Sequence, residues 1–362
     1  MKDLNYGIIG CGMMGHEHIE NIDILSGARV HAIFEPDDAM RGSALKRVPD
    51  AIVAHSIDEL LAIEELDALV IVTPNYQHAD QLRQITAKRT IPILVEKPLV
   101  TNPDDYAFIE GLQQTYGAPI WVAMEYRYMP PLQKFLEMME DATGGVKHFT
   151  IKEHRFPFLP KVGNWNRFNK QSGGTLVEKC CHFFDLMRLA IPGEPKRVTG
   201  SGWQAVNHIH EIYDGEKSDI WDAAFAIVDF DSGAKAMLDL CMFAEGAEYQ
   251  EEITAVGPKG RIDVLIPGPV RFWPLEKSDP PTPKVVIQPR SKSGRQVIEV
   301  EVPADLLAAG DHNGSTYYQH LKFRDAVRGN APVEVTLRDG LWAVRMGWAA
   351  QEASRTGQSF VF

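Results

Sequence analysis

Positive charge, cysteine and long apolar runs are all scarce in this chain of 362 residues. Its formal net charge is −12. That balance opposes non-specific binding to nucleic acid or to an anionic membrane, since both need an excess of Lys and Arg. It leaves room for a locally basic pocket that takes a small anion. No apolar stretch approaches the ~20 residues of a membrane-spanning helix, so no membrane role is expected. The four cysteines, Cys11, Cys180, Cys181 and Cys241, form no disulfide framework. The opening MKDLNYGIIG begins a strand pattern at once and carries no secretory-signal pattern. A reducing, cytoplasmic setting is the expectation. No internal repeat and no low-complexity tract occurs.

With 44% apolar residues the chain can bury a sizeable core, and its length suggests two domains. The first ~120 residues alternate strand and helix. LNYGIIG, ARVHAIFE, LDALVIVTP, PILVEKP and APIWVAMEYR read as strands, with helical segments between them. Such alternation implies a doubly wound parallel sheet. After about Tyr128 the pattern changes to strand candidates such as VKHFTIKEHRF, DAAFAIVDF and AKAMLDLCMF, the last two joined by a DSG hairpin signal. Residues 275–296 read as the most loop-like stretch, and the end returns to helix. The expected fold is α/β. A Rossmann dinucleotide-binding domain spans 1–125, and a C-terminal α+β domain with a large, mostly antiparallel open sheet spans 126–362.

Gly10, Cys11, Gly12, Met13, Met14 and Gly15 form GCGMMG between the first strand and the first helix. Alone, GxGxxG is weak; in this strand–turn–helix context it is specific. Gly10 allows the tight turn, Gly12 lets backbone approach a pyrophosphate, and Gly15 lets helix and strand pack closely. Glu35 ends the second strand, 20 residues after Gly15. A carboxylate there accepts from a ribose 2′-OH and repels a 2′-phosphate, and Arg41 is six residues further on. NAD is therefore expected over NADP. Thr73, Pro74, Asn75 and His78 follow a buried parallel strand at its C-terminal end, where open α/β sheets bind ligands. Asn75 and His78 could equally cap the next helix. Glu96 and Lys97, before Pro98, end another such strand. A lysine there can hold the cofactor ribose and stabilise a developing alkoxide.

GCGMMG, TPNYQH, EKP and GGTLVEKCCHFFD occur in an order that resembles the Gfo/Idh/MocA oxidoreductases, the glucose–fructose oxidoreductase and inositol dehydrogenase family. The C-terminal stretch from Asp311 also resembles that family's ending. The resemblance spans essentially the whole chain. It implies NAD(P) as cofactor and dimers or tetramers built through the large sheet.

In GGTLVEKCCHFFDLM, Thr175 with Glu178 fits a capping box, and Glu178, His182 and Asp185 would share one helical face. His182 suits general acid–base work, since its ordinary pKa is ~6.5. The resemblance points the same way. It implies an acid and, four residues on, a histidine at the substrate carbon beside the lysine, here Glu178 and His182. The family's acid is usually Asp, and a Gly usually stands where Cys180 is. The alternatives are a helix-capping Glu178 and a core His182. Successive helical residues point about 100° apart, so Cys180, Cys181 and His182 cannot all face one metal ion. No metal is expected.

Further substrate-facing candidates are Arg127, where the family often has an Arg-aromatic-x-Pro, and His312, where members often carry a substrate-contacting His. Arg127 packing across the domain seam is an equal alternative. Trp165 could stack on a sugar ring, and Arg167 could bind hydroxyls. The expected activity is NAD-dependent transfer of a hydride from a secondary hydroxyl of a cyclic polyol, sugar or glycoside. Lys97 would polarise the oxygen, His182 would take the proton, and Glu178 would orient them. The alternatives are a sugar epimerase or glycoside-cleaving enzyme that recycles retained NAD, and a non-catalytic sugar or nucleotide sensor. The expected partners are the small-molecule substrate and a second copy of the chain, as a homodimer or homotetramer.

Overall fold

A computed structural model describes residues 2–273 and 278–362. Apolar runs flanked by glycine and proline build a first sheet from β1 (Leu4–Ile9), β2 (Ala28–Phe34), β3 (Ile52–Ala54), β4 (Ala68–Ile71), β5 (Ile93–Val95) and β6 (Ile120–Val122). All pairings are parallel, in the order β3-β2-β1-β4-β5-β6. β4 and β5 are buried along their whole length, as strands covered on both faces must be. The order reverses between β1 and β4. That opens a crevice at the strands' C-terminal ends, where GCGMMG, TPNYQH and EKP all lie.

The second sheet has nine strands in the order β16-β15-β14-β13-β7-β12-β11-β8-β17. These are β7 (His148–His154), β8 (Pro195–Trp203), β11 (Ala223–Phe230), β12 (Lys235–Cys241), β13 (Glu251–Val256), β14 (Gly260–Ile266), β15 (Lys284–Pro289), β16 (Gln296–Glu299) and β17 (Phe360–Val361). A two-stranded ribbon, β9 (Ile212–Tyr213) with β10 (Glu216–Lys217), stands apart. Among the described residues only β7 and β12 pair in parallel; the other pairings are antiparallel, as expected. The DSG turn joins β11 to β12 with Gly233 at φ +84°. Of the stretch read as loop, residues 275–277 lie outside the described residues. Lys284–Pro289 are a strand, because the β-branched run KVVI fills the gap between β14 and β16.

The helix Pro130–Thr143 lies on one face of this sheet, and the helices Cys181–Ala190 and Leu337–Thr356 pack there too. The opposite face is solvated. The long helix Leu337–Thr356 carries a complete capping box, Thr336 with Asp339. The core under the first sheet also takes in Phe323, Val335, Leu341 and Val344. C-terminal helices thus return to the dinucleotide domain and bind the two units along the seam where the site lies.

Candidate active site

The cleft at the switch point encloses about 820 Å³ and is lined by Gly10, Gly12, Met13, Met14, Glu35, Thr73, Pro74, Asn75, Glu96 and Lys97 among others. A Cβ on Gly10, whose φ is +95°, would lie 2.6 Å from the Val72 carbonyl oxygen. A Cβ on Gly15 would lie 2.5 Å from the Gly10 carbonyl oxygen. A Cβ on Gly12 would meet no protein atom within 4 Å. Two glycines therefore serve the fold and the third faces open space, as a pyrophosphate cradle requires. Gly12 also precedes the helix Met13–Asp23 without any side-chain cap, which leaves amide donors for an anion. Glu35 accepts from the backbone N–H of Cys11 at 2.6 Å and of Asp37 at 2.9 Å. These bonds aim its carboxylate across the glycine loop. Arg41 is committed to the Glu35 carbonyl and to Asp38. The residues fit NAD, with no arginine or lysine beside Glu35 among the described lining residues to receive a 2′-phosphate.

A smaller cavity of about 110 Å³ adjoins the cleft. Lys97 and Glu178 line both spaces, and His182 and His312 line the cavity. Lys97 comes from the end of β5, while Glu178 and His182 come from the other domain. Burial opposes the charge of Lys97, yet Cys181, Glu96, Glu125 and Glu178 together hold its pKa above the ordinary lysine value. Burial, reinforced by Lys97, Lys179, His312 and Arg155, holds the His182 pKa well below its usual value. The ring is therefore neutral at pH 7. It lies flat on Tyr126, with ring centres 4.1 Å apart and planes 9° apart. His312 Nδ1 lies 3.0 Å from Glu17 Oε1. Burial opposes the His312 charge, but Glu17 outweighs it and raises the pKa.

The cavity holds more ionisable groups than motif reading finds. Glu125, three residues past the end of β6, is buried with both carboxylate oxygens lacking a hydrogen-bond partner. Its Oε1 is 3.5 Å from His182 Nε2. Burial and the neighbouring Glu96, against His312 and Lys97, push its pKa up to about 7. Lys179 reaches Tyr126 Oη at 2.6 Å and Glu153 at 2.8 Å. Arg155, Lys161 and Glu251 complete the wall. One signal was available for Glu125: it follows a parallel strand at the same edge as Lys97. The others sit at strand and helix ends of the second domain, with no local pattern to mark them.

Several expectations are corrected. Thr175 and Glu178 make no capping box, because the Thr175 hydroxyl donates to the Trp221 carbonyl at 2.7 Å and Gly174 is the cap residue. The helix is broken at Lys179–Cys180 into Thr175–Glu178 and Cys181–Ala190. Glu178 still faces the site, but no hydrogen bond joins it to Lys97 or His182 among the described residues, and its Oε2 lacks any partner. Arg127 lines neither space. It forms a two-pronged pair with Asp185, both contacts at 2.5 Å, and donates to the Glu334 carbonyl, so it is a seam arginine. Arg167 is likewise buried, held by Glu211 and the Phe158 carbonyl. Trp165 lines the dinucleotide cleft, not the small cavity. The His78 ring is sealed between the carbonyls of Pro98 and Thr73, at 2.8 and 3.0 Å, and ties two loops together without reaching the cleft. The Cys11 side chain is buried, and its backbone N–H holds Glu35. His18 anchors Glu96 at 2.9 Å and His320 at 2.7 Å. All four cysteines are free.

A glycine cradle at a switch point, with a half-buried lysine and a neutral imidazole beside it, defines a dinucleotide-dependent oxidoreductase. Sequence comparison agrees. The oxidoreductase family's NAD-binding Rossmann fold matches residues 4–123, and its C-terminal alpha/beta domain matches residues 138–361. The chain belongs to the Gfo/Idh/MocA oxidoreductase family; it uses NAD and is a dehydrogenase of CH–OH donors. The uncharacterized oxidoreductase YrbE of Bacillus subtilis (strain 168) is 24% identical over 360 residues, covering 98% of this chain and 96% of that protein. An inositol 2-dehydrogenase of Corynebacterium glutamicum (strain R) is 30% identical over 188 residues, covering 51% of this chain and 53% of that enzyme. A crystal structure of an oxidoreductase from Agrobacterium radiobacter in complex with NAD+, L-tartaric acid and magnesium superposes with a TM-score of 0.82. It covers 99% of this chain and 98% of that one at 16% identity, so it shows the shared fold.

Proposed function

We propose that the chain oxidises a secondary hydroxyl of a cyclic polyol or sugar. The observation that carries this reading is the set of buried acceptors without donors on the cavity's lining residues: both Glu125 oxygens, Glu178 Oε2 and His182 Nδ1. A buried acceptor left unpaired costs about 1–3 kcal/mol. A ligand bearing a hydroxyl on each ring carbon supplies donors on several sides at once. Bound NAD supplies the hydride acceptor. Lys97 donates to the reacting oxygen and stabilises its developing charge. His182, neutral at pH 7, takes the hydroxyl proton. Glu178 lines both spaces and accepts from a substrate hydroxyl where they meet. The likeness to an inositol 2-dehydrogenase supports this substrate class. Incubation with NAD and a panel of inositols and monosaccharides, followed at the NADH absorbance, should identify substrates. Lys97→Ala and His182→Ala should each lower turnover about 10²–10⁴-fold. Full turnover in both variants would refute these roles.

We further infer a homodimer or homotetramer joined through the solvated sheet face. Trp203, Phe225 and Ile227 share that face and are 42%, 45% and 49% exposed. Such a cluster of large apolar side chains marks an association surface. Phe225→Asp should shift the sedimentation coefficient to that of a smaller species; an unchanged value would place the contact elsewhere. Four free cysteines suit the reducing, cytoplasmic setting we propose.

A further inference from the structure

We propose that Glu125 is the terminal proton acceptor of this reaction. The hydroxyl proton enters His182 at one ring nitrogen and leaves from the other to the Glu125 carboxylate. The proposal rests on the substrate class argued above and goes beyond the roles of Lys97, Glu178 and His182.

The geometry is local. Glu125 and Tyr126 are neighbours in the short turn Glu125–Tyr128. That turn therefore holds both the carboxyl and the aromatic plate on which His182 lies. His182 Nε2 has Glu125 Oε1 3.5 Å away, and Nδ1 is buried without a partner. The 3.5 Å gap is longer than a formed hydrogen bond, as catalytic contacts often are before substrate closes the site. Both Glu125 oxygens are free to receive a proton.

The electrostatics explain why His182 alone is a poor resting place for it. Facing the pair are Lys97 and Glu96 from the end of β5, and Lys179 from the turn before Cys181. Arg155 faces it from the end of β7, and His312 with its partner Glu17 from the helix side. An imidazolium here would be buried among cations. A relay avoids it: the ring gains a proton on one nitrogen as it gives one up from the other, and stays neutral. A carboxyl near 7 accepts at neutral pH and can release afterwards to water.

The balance closes. The substrate C–H bond breaks with its electron pair going to NAD, and the O–H pair becomes the second C–O bond. One N–H bond forms and another breaks on His182, and one O–H bond forms on Glu125.

The test pairs Glu125→Gln and Glu125→Asp with wild type. Wild-type oxidation should rise with pH through about 7, because the carboxylate is the active form. Glu125→Gln should lower kcat at pH 7 about 10²-fold or more, with a smaller change in KM and unchanged NAD affinity, and it should lose the rising limb. Glu125→Asp should retain part of both. A Gln variant that keeps half of wild-type kcat overturns the relay. So does a fall in kcat with the limb intact, which would mark Glu125 as a structural neighbour. A second readout needs no substrate. In the NAD-bound protein, infrared difference between wild type and Glu125→Gln should show one carboxyl titrating between pH 6 and 8. Glu251, also pushed up to about 7, is common to both and cancels. No such titration overturns the proposal even if every polyol in the panel fails, an outcome that by itself would sink only the substrate reading.

Discussion

The dinucleotide cleft and the small cavity share Lys97 and Glu178, yet they are made by opposite means. The cleft is mostly backbone. The glycine loop and Glu35 shape one end of it within residues 10–35, and the strand-end segments at Thr73–Asn75 and Glu96–Lys97 line the rest with Trp165. The cavity is rich in ionisable side chains, brought from the ends of β5, β6 and β7, a broken helix and the loop at His312. A backbone cradle recognises a phosphate through main-chain amides. A ring of buried ionisable groups depends on mutual neutralisation, because isolated buried charges are costly. The cleft should therefore be robust to distant change, and the cavity sensitive to it.

Substitutions can break or sharpen that contrast. The largest effect is expected at His182, where His182→Asn should lower kcat about 10²–10⁴-fold with NAD affinity unchanged by fluorescence titration. A parallel loss of NAD affinity would mean the two spaces are not separate. Arg127→Ala should cost about 3–5 kcal/mol in denaturant unfolding, because it leaves Asp185 charged and buried. Its KM for substrate should change little, since Arg127 lines neither space.

Glu17 tests a cavity group supplied by the cleft's own helix. His312 and Thr316 hold its pKa at about 2, despite burial. A depressed carboxyl stabilises the fold above its unfolded pKa, and that contribution is lost as pH falls through about 2. Glu17→Gln should remove up to about 3 kcal/mol of acid-dependent stability, read as a flatter unfolding profile between pH 5 and 2. Gly15→Ala should cost about 1–3 kcal/mol by overpacking against Gly10, with weaker NAD binding and a conserved cavity pH profile. The smallest effect is expected for Glu35→Gln. It should weaken NAD by about 1 kcal/mol, several-fold in Kd, and narrow the preference over NADP; an unchanged preference would remove Glu35 from cofactor choice.

What could be read from residue order divides along the same line. Strands β1, β2, β4, β5 and β6, the packing roles of Gly10 and Gly15 and the position of Lys97 follow from short-range patterns, and the structure agrees with them; the three-residue strand β3 (Ile52–Ala54) was too short to show in the pattern. The strand Lys284–Pro289 was hidden because its flanks are rich in proline and serine, while its pairing partners are distant in the chain. Thr175-x-x-Glu178 has the letters of a capping box, but the nearby Trp221 carbonyl takes the hydroxyl. The same letters with Asp in place of Glu do cap at Thr336. Nothing local separates the two.

The sequence by itself marked the elements of the cofactor cleft: the glycine turn, the acid at the end of β2 and the lysine at the end of β5. Each depends on contacts within a few residues. Only the tertiary structure decided the substrate half. Arg127 and His182 both looked substrate-facing, but Asp185 drew the arginine into the seam and left the imidazole beside Glu125. Buried charges settle where their partners are, and those partners lie 58 residues away in the chain for Arg127 with Asp185 and 295 for His312 with Glu17.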